Sequence, residues 1–373
     1  MDFSISSSLL ANKLSSVGKV VNNKNSLAIL SNIVFSLKDE ELKLYASDGE
    51  IWIESTLPLG APCEEYKFAV DATSVIQGIK EIPDQPIYIS ADLSSNKLTV
   101  VHQSGKFSIA ITDASNFPIP SMIDGDIIKQ ISKSRLLASL NQCGFSISKN
   151  ELRPVMQGTY FDFTGECLTV VATDGHSLVR QKYLDIQSEV ISAFNMPVKV
   201  SVLLRGILNF KEGTAQFHFD GRNTEVVFDD FKITFRLIEG RYPNYNAVIP
   251  SILPYSAVID RVSLYQSLKR LMSFCSASSY LVKFQFEQDK LILSAEDFEF
   301  AKIANETIKC DYNSKSITMG FKLTALMDIL KNLQGQNIKI NMVDCSKAAL
   351  IVPEVQKENE EVTMLLMPML IND

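Results

Sequence analysis

Three stretches of this chain follow one pattern. LKLYASDGEIWI (Leu42 to Ile53), LTVVATDGHSLV (Leu168 to Val179) and LILSAEDFEFA (Leu291 to Ala301) each begin with Leu, place Ala four residues on and Asp two after that. Successive copies lie about 125 residues apart, near a third of the 373-residue chain, and self-similarity at a fixed period constrains a fold more than any single motif does.

The flanks keep the same frame. Before each copy runs an apolar stripe at i, i+4, i+7 and i+11: Leu10, Leu14, Val17 and Val21; Leu136, Leu140, Cys143 and Ile147; Leu264, Leu268, Leu271 and Cys275. That spacing puts the side chains on one face of an amphipathic helix. After each copy comes a shorter helical stripe: Val75, Ile79 and Ile82, then Val200, Leu204 and Ile207, then Leu323, Met327 and Leu330. Strand-like runs follow: PIYIS, KLTVVHQ and KFSIAIT in the first third, AQFHF, TEVVF and FKITFRLI in the second, NIKINM, AALIV and TMLLMPM in the last. They are rich in the β-branched and aromatic residues that suit a pleated sheet. NFPIPS (Asn116 to Ser121) and RYPNYNAVIPS (Arg241 to Ser251) then set an aromatic-Pro turn at the close of the first two copies. The expected fold is α+β, with three repeated domains, 1–122, 123–250 and 251–373, each with two helices packed on antiparallel sheets.

The repeat changes the meaning of the stretch that looks most like chemistry, Asp174, Gly175, His176 and Ser177. The position of His176 is Glu50 in the first copy and Glu299 in the third. What is kept is the Asp, and partly the Gly, which together suit a turn: Asp bonds nearby backbone and Gly permits positive φ. The other histidines, His102 and His218, have no HxH or HxxxH spacing to His176, so a multi-His zinc site is not expected. A Ser-His-Asp triad assembled from distant residues stays open, although there is no GxSxG elbow. Cys63, Cys143, Cys167, Cys275, Cys310 and Cys345 stand singly, with no CxxC pair, and read as small, mostly buried residues. No metal, cofactor or catalytic residue is expected.

The composition, 46% hydrophobic and 21% charged, is that of a soluble globular protein. No apolar run reaches the roughly 18 residues of a membrane span, and MDFSISSSLL lacks the features of a signal peptide, so the cytoplasm is the expected location. The formal net charge is −7, yet the helical segments are basic: Lys13 and Lys19; Lys133, Arg135 and Lys149; Lys199 and Arg205; Arg261, Lys269 and Arg270 lie in segments with no acid. A basic helical face on an acidic protein fits a polyanion held on one side; an ordinary solvated helix face is the alternative. No recognition-helix motif or aromatic RNA platform is present, so backbone contact is expected rather than base readout.

ATDGHSL, LRPVMQGTYFD (Leu152 to Asp162), EGRYPNYNAVIP (Glu239 to Pro250) and the closing LLMPML resemble, in order and along the whole chain, the bacterial DNA polymerase III beta subunit, the DNA sliding clamp. The resemblance implies a head-to-tail homodimer ring with helices lining the hole, a processivity factor without catalysis that holds double-stranded DNA regardless of sequence. It also implies a hydrophobic groove that accepts a peptide from the DNA polymerase III catalytic subunit, from the clamp loader complex and from other replication and repair proteins, in the nucleoid region of the cytoplasm.

Carried over residue by residue, the resemblance assigns the groove to Met156, Thr173, Gly175, His176, Leu178, Pro243, Val248, Met367, Pro368 and Met369. Methionines suit such a site because a flexible thioether repacks around different ligands. DNA contact is assigned to Lys24, Lys149, Asn150, Arg153 and Lys199, and the dimer seam to Phe107 and Ile109 meeting Met272 and Phe274 at the end of a helix. Many relatives carry Arg where this chain has Ser177 and end in MPMRL where it reads MPMLIND. The alternatives from other classes are a small-molecule enzyme using Asp174 and His176, and a nucleic-acid scaffold that forms no ring.

Overall fold

The structure, a computed structural model, describes residues 1–371 apart from 23, 24, 26, 121, 122, 124–126 and 209–211. The first copy of the repeat builds β1 (Asp2–Ser6), α1 (Ser7–Val17), the long strands β2 (Asn32–Ser47) and β3 (Ile51–Asp71), α2 (Ala72–Lys80), β4 (Pro86–Asp92), β5 (Lys97–His102) and β6 (Gly105–Asp113). The second builds β7 (Ile127–Ser132), α3 (Lys133–Cys143), β8 (Gly158–Phe163), β9 (Leu168–Thr173), β10 (Ser177–Tyr183), β11 (Ser192–Pro197), α4 (Val198–Ile207), β12 (Thr214–Phe219), β13 (Asn223–Phe228) and β14 (Phe231–Arg236). The third builds β15 (Tyr255–Asp260), α5 (Arg261–Leu271), β16 (Leu281–Glu287), β17 (Lys290–Asp297), β18 (Lys302–Lys309), β19 (Ile317–Lys322), α6 (Leu323–Asn332), β20 (Asn337–Met342), β21 (Ala349–Pro353) and β22 (Glu360–Leu366).

Every helix starts on the residue after a strand ends, and at four of these junctions the last strand residue caps the helix. The side chains of Ser6, Asp71, Ser132 and Asp260 accept from the backbone amides of Leu9, Ser74, Arg135 and Ser263 at 3.3, 2.8, 3.4 and 2.7 Å, each a contribution of about 1 kcal/mol. Leu10, Leu14 and Val17, then Leu136, Leu140 and Cys143, then Leu264, Leu268 and Leu271 are buried as the stripes require. The fourth stripe positions, Val21, Ile147 and Cys275, lie beyond the helices. In each copy a 3-10 turn follows the first helix and ends in these residues with extended backbone, so the helical spacing is carried about one turn further than the helix itself.

The chain packs as two compact units, Met1–Leu137 with Val202–Leu237, and Ala138–Ser201 with Ile238–Asp373; the middle copy supplies strands to both. In the first unit a ten-stranded antiparallel sheet runs β1-β4-β5-β6-β3-β14-β13-β12-β7, with β2 on β3. In the second, an eight-stranded sheet runs β11-β8-β9-β10-β22-β21-β20-β15 and a four-stranded one β18-β17-β16-β19. One pairing rule recurs. The strand leaving the Asp turn takes the last strand of the following copy: β3 pairs with β14, from Ile51↔Phe235 to Ser55↔Phe231, and β10 pairs with β22, from Ser177↔Leu366 to Tyr183↔Glu360. β18, the equivalent strand of the third copy, pairs only with β17 among the described strands. β6, the last strand of the first copy, pairs with β5 over Gly105–Ala110 and reaches β3 only at Ile111–Asp113, so one edge of its first half is bare.

Several of the basic helical residues are used internally. Lys133 is 2% exposed and donates to both Asp229 oxygens at 2.7 and 2.8 Å; without that carboxylate the buried ammonium would destabilise the fold by about 3 kcal/mol. Lys13 pairs with Asp230 and lies 4.3 Å from the Phe231 ring centre. Arg270 grips Glu306 through two bonds of 2.6 and 2.7 Å, and this partner holds the Glu306 carboxyl below its usual range. Arg261 donates to the carbonyls of Leu330 and Gly335 at 2.9 Å, closing the end of α6. Each of these four residues therefore lies beside an acid or a helix-end carbonyl, Lys133 buried and Arg270 still 59% exposed. Cys143, Cys167, Cys275 and Cys310 are buried, Cys63 is partly covered and Cys345 is exposed; burial pushes the Cys143 thiol up to about 12. Among the described residues no helix is long and apolar enough to cross a membrane, and no group of His, Cys, Asp and Glu could hold a metal ion.

Candidate functional site

The Asp174 turn is built by its backbone. The Asp174 carboxylate accepts from the amides of His176 and Ser177 at 2.8 and 2.6 Å and from the Ser177 hydroxyl at 3.1 Å. Gly175 takes φ +89°, and the Thr173 hydroxyl donates to the Ser177 carbonyl at 2.7 Å. The first copy repeats the device: Asp48 accepts from Glu50 and Ile51 at 2.9 and 2.8 Å, with Gly49 at φ +94°. In the third, Asp297 accepts from Phe300 at 3.4 Å and Ala301 carries the positive φ of 50°. Asp174 is thus committed to holding a hairpin. Ser177 is 4% exposed and shares its hydroxyl with Ser146 at 3.0 Å, whereas His176 is exposed, so this Asp, His and Ser form no relay.

His176 instead stands beside the end of the chain. The Met367 amide donates to the His176 carbonyl at 2.8 Å, and the Met369 amide donates to the Gly320 carbonyl at 2.8 Å. The tail leaves β22 at Leu366 and lies between the Asp174 turn and β19. Only glycine fits at position 320: a Cβ there would come within 2.8 Å of the Met369 carbonyl. A cavity of about 790 Å³ opens along this tail, walled by His176, Met367, Pro368 and Met369 together with Phe145, Ile147 and Leu370. Lys149, Lys322, Asp174 and Asp328 supply its charge. Met367 is 40% and Leu370 92% exposed, so apolar surface stands open to solvent here.

Next to the cavity the second unit carries an apolar cluster of Val171, Leu178, Tyr242, Ala348, Leu350 and Leu365. The Leu178↔Leu365 pair of β10 and β22 forms its floor. Tyr160 and Tyr242 stack at 4.4 Å, and the Tyr245 hydroxyl donates to Asp162 at 2.7 Å; burial first, then that carboxylate, pushes the Tyr245 phenol up. Thr173 and Leu178 lie beneath the surface, 7% and 2% exposed. Pro243 and the 53% exposed Val248 belong to the segment that supplies Tyr242 and Tyr245 to the cluster. Met156 is half-buried in a 3-10 turn, Pro154–Met156. The expected groove residues therefore divide between the cavity wall, the cluster and its surroundings.

Of the expected DNA contacts, Lys149, Asn150, Arg153 and Lys199 are exposed, and Lys24 lies outside the described residues. Asn150 shapes the turn that presents Arg153: its side-chain oxygen accepts from Leu152 at 3.0 Å and its carbonyl from Arg153 at 3.1 Å. A Cβ on Gly175 would meet an Arg153 guanidinium nitrogen at 2.8 Å, so Arg153 lies over the groove turn as well. Lys149 likewise lines the cavity. Phe145, Ile147 and Leu370 are cavity residues that the residue pattern did not single out as such; the one signal was Ile147, a stripe position with no helix beneath it.

At the expected seam, Phe107 and Ile109 are half-buried on β6. Phe107 packs against α2 where Gly78 leaves room, since a Cβ there would come within 2.9 Å of its ring. Met272 and the 38% exposed Phe274 form the 3-10 turn after α5 rather than its last helical turn. That turn adjoins β18, whose Lys302 ammonium donates to the Ser273 carbonyl at 3.5 Å.

Three family models account for nearly all of the chain: the DNA polymerase III beta subunit N-terminal domain over residues 1–122, the central domain over 130–244 and the C-terminal domain over 246–370. The beta sliding clamp of Pseudomonas putida is 24% identical over 370 residues, covering 99% of this chain and all of that protein. The beta sliding clamp of Staphylococcus aureus is 25% identical over 379 residues, covering 99% of each. Among solved structures, the Pseudomonas aeruginosa sliding clamp bound to griselimycin superposes with a TM-score of 0.94 at 23% identity, and the Bacillus subtilis DNA polymerase sliding clamp with 0.91 at 21%, each over the full length of both chains. With its three domains matched in order, the chain belongs to the DNA polymerase III beta subunit family.

Proposed function

We propose that this chain is a DNA sliding clamp: two copies close head to tail into a ring around duplex DNA and tether the replicative polymerase, without catalysing a reaction. The observation that carries the reading is that, among the open strand edges, those of β18 and β6 are the two that the repeat's own pairing rule fits. Each Asp-turn strand accepts the last strand of the next copy; β18 has no next copy within the chain, and β6 is the one last strand with an open edge. Pairing β18 with the β6 of a second chain satisfies both and repeats the rule used twice internally. The contact is heterologous, and it closes when the second chain returns the same pairing. Phe107 and Ile109 then meet Met272 and Phe274, covering apolar surface that a monomer exposes.

The domains of the ring are 1–122, 123–250 and 251–373, and the place of action is the cytoplasm, at the nucleoid. Lys149, Asn150, Arg153 and Lys199, with Lys24, contact phosphates; the absence of base readout lets the ring slide. The groove of Met156, Thr173, Gly175, His176, Leu178, Pro243, Val248, Met367, Pro368 and Met369 takes an extended peptide from the DNA polymerase III catalytic subunit, from the clamp loader and from other replication and repair proteins. Its support is the exposed apolar tail beside a cavity large enough for several side chains. The enzyme reading loses ground because the Asp174 carboxylate is occupied by backbone amides.

Each surface has its own substitution. Phe274→Asp gives monomers in sedimentation velocity, because a carboxylate is buried in an apolar seam; a persisting dimer would remove this seam. Lys149→Glu with Arg153→Glu leaves the dimer intact and lowers the salt slope of DNA binding by about two, one per lost phosphate contact; an unchanged slope contradicts the assignment. His176→Ala weakens polymerase-peptide binding about three- to tenfold in fluorescence anisotropy without altering the dimer, and equal affinity would place the peptide elsewhere.

A further inference from the structure

Side chains two apart on a strand share a face, so Arg180 stands beside Leu178 on the side of β10 that carries the apolar cluster. It is half-buried, and its cross-strand neighbours are Val171 of that cluster on β9 and Thr363 on β22. Asn246 belongs to the 3-10 turn that also holds the exposed Val248. One Nη of Arg180 donates to the Asn246 side-chain oxygen at 3.2 Å and the other to the Thr363 hydroxyl at 3.4 Å. Both acceptors are neutral, and the buried Nε has no acceptor among the described residues. A guanidinium offers five N–H donors, and here no carboxylate of the described residues takes any of them. The acids on this face of the sheet have other partners. In the next row across the strands Glu361 pairs with Lys182 at 3.7 Å, and Asp162, two strands away on β8, accepts from the Tyr245 hydroxyl at 2.7 Å.

We propose that Arg180 is the selectivity residue of the groove: its guanidinium takes the carboxylate of an aspartate or glutamate side chain of the partner peptide, next to the apolar residue that sits over Leu178 and Leu365. The inference rests on the groove reading and adds to it the charge that a partner must carry. The spacing follows from the strand. Arg180 lies roughly 7 Å from Leu178 along β10, the span of two residues in an extended peptide, so the acid falls one or two positions from the apolar anchor. The chemistry follows from the fork. Paired N–H···O bonds to a guanidinium are charge-assisted only when the acceptor is an anion, which favours a carboxylate over an amide of the same shape. Asn246 and Thr363 fix the plane of the fork without neutralising it. Within the fold the arginine gains little from its place, since its two bonds are long ones to neutral groups and its Nε is sealed from water without an acceptor. An arriving carboxylate supplies the counter-charge that the chain itself does not.

The probes are acetylated, amidated eight-residue peptides with a Leu-Phe core and serine elsewhere, carrying one aspartate before or after the core, each with an asparagine twin; amidation keeps the terminal carboxylate out of the comparison. In calorimetry on the full-length protein at low salt, the aspartate peptide in one placement binds about tenfold more tightly than its twin, and the preference shrinks as ionic strength rises. Arg180→Gln makes the twins equal. Arg180→Lys, which keeps the charge and loses the fork, retains part of the preference, and both variants still form dimers in sedimentation velocity. His176→Ala weakens aspartate and asparagine peptides by the same factor, which marks them as groove ligands. Twins of equal affinity on the unsubstituted protein, a comparison that needs no variant to fold, or a preference that survives Arg180→Gln, overturn the proposal; the groove reading stands in either case if His176→Ala weakens both twins. Peptides indifferent to His176→Ala, with an aspartate preference that Arg180→Gln abolishes, keep Arg180 and remove the groove around His176. Failure of every peptide to bind overturns both.

Discussion

A β-strand with a bare edge carries a row of amide and carbonyl groups that only water or another strand can satisfy. Most of this structure follows from how the repeat treats that edge. No copy completes its own sheet: β3 depends on β14 and β10 on β22, so neighbouring copies fuse through backbone hydrogen bonds instead of merely touching. The same dependence explains why the compact units do not coincide with the repeats. Strands of the middle copy belong partly with the first copy and partly with the third. A repeat built this way leaves β6 of the first copy and β18 of the third with an open edge, and a second chain is what those edges fit.

The two internal seams are built alike. At each internal seam a two-residue match across strands, Trp52 with Thr234 or Leu178 with Leu365, lies under an aromatic-Pro segment. The Asp turn beside it is rigid because its carboxylate is spent on backbone amides. That rigidity frees position 176 from the turn's own bonding, as Glu50 and Glu299 show in the other copies, and it gives the chain's end a fixed carbonyl on which to dock. Asp174, which looked like part of a catalytic group, is the brace of a hairpin.

Much of the fold was legible in the sequence because it rests on local periodicity. The stripes through Leu10, Leu136 and Leu264 became α1, α3 and α5, and runs such as TEVVF and NIKINM became β13 and β20. What stayed hidden depends on distance along the chain. Lys133 read as surface charge because nothing near it announces Asp229. Arg153 read as a DNA contact alone because its approach to Gly175 is made through a turn set by Asn150. Phe145 and Leu370 gave no signal, since each gains its place in the cavity only when the tail folds back to His176. Strand pairing between copies was likewise invisible, though the repeat made some such pairing necessary once each half-sheet was counted.

The central claim is topological: the protein is held to DNA by closure around it, and contact strength matters less. It is tested most directly by loading the protein onto a nicked circular duplex with its clamp loader, removing the loader, and following retention by gel filtration before and after the circle is cut once. The account predicts that the protein remains on the circle and is lost when the DNA is linearised, with little dependence on sequence. Retention that is equal on circular and linear DNA, or loss from both, would contradict it.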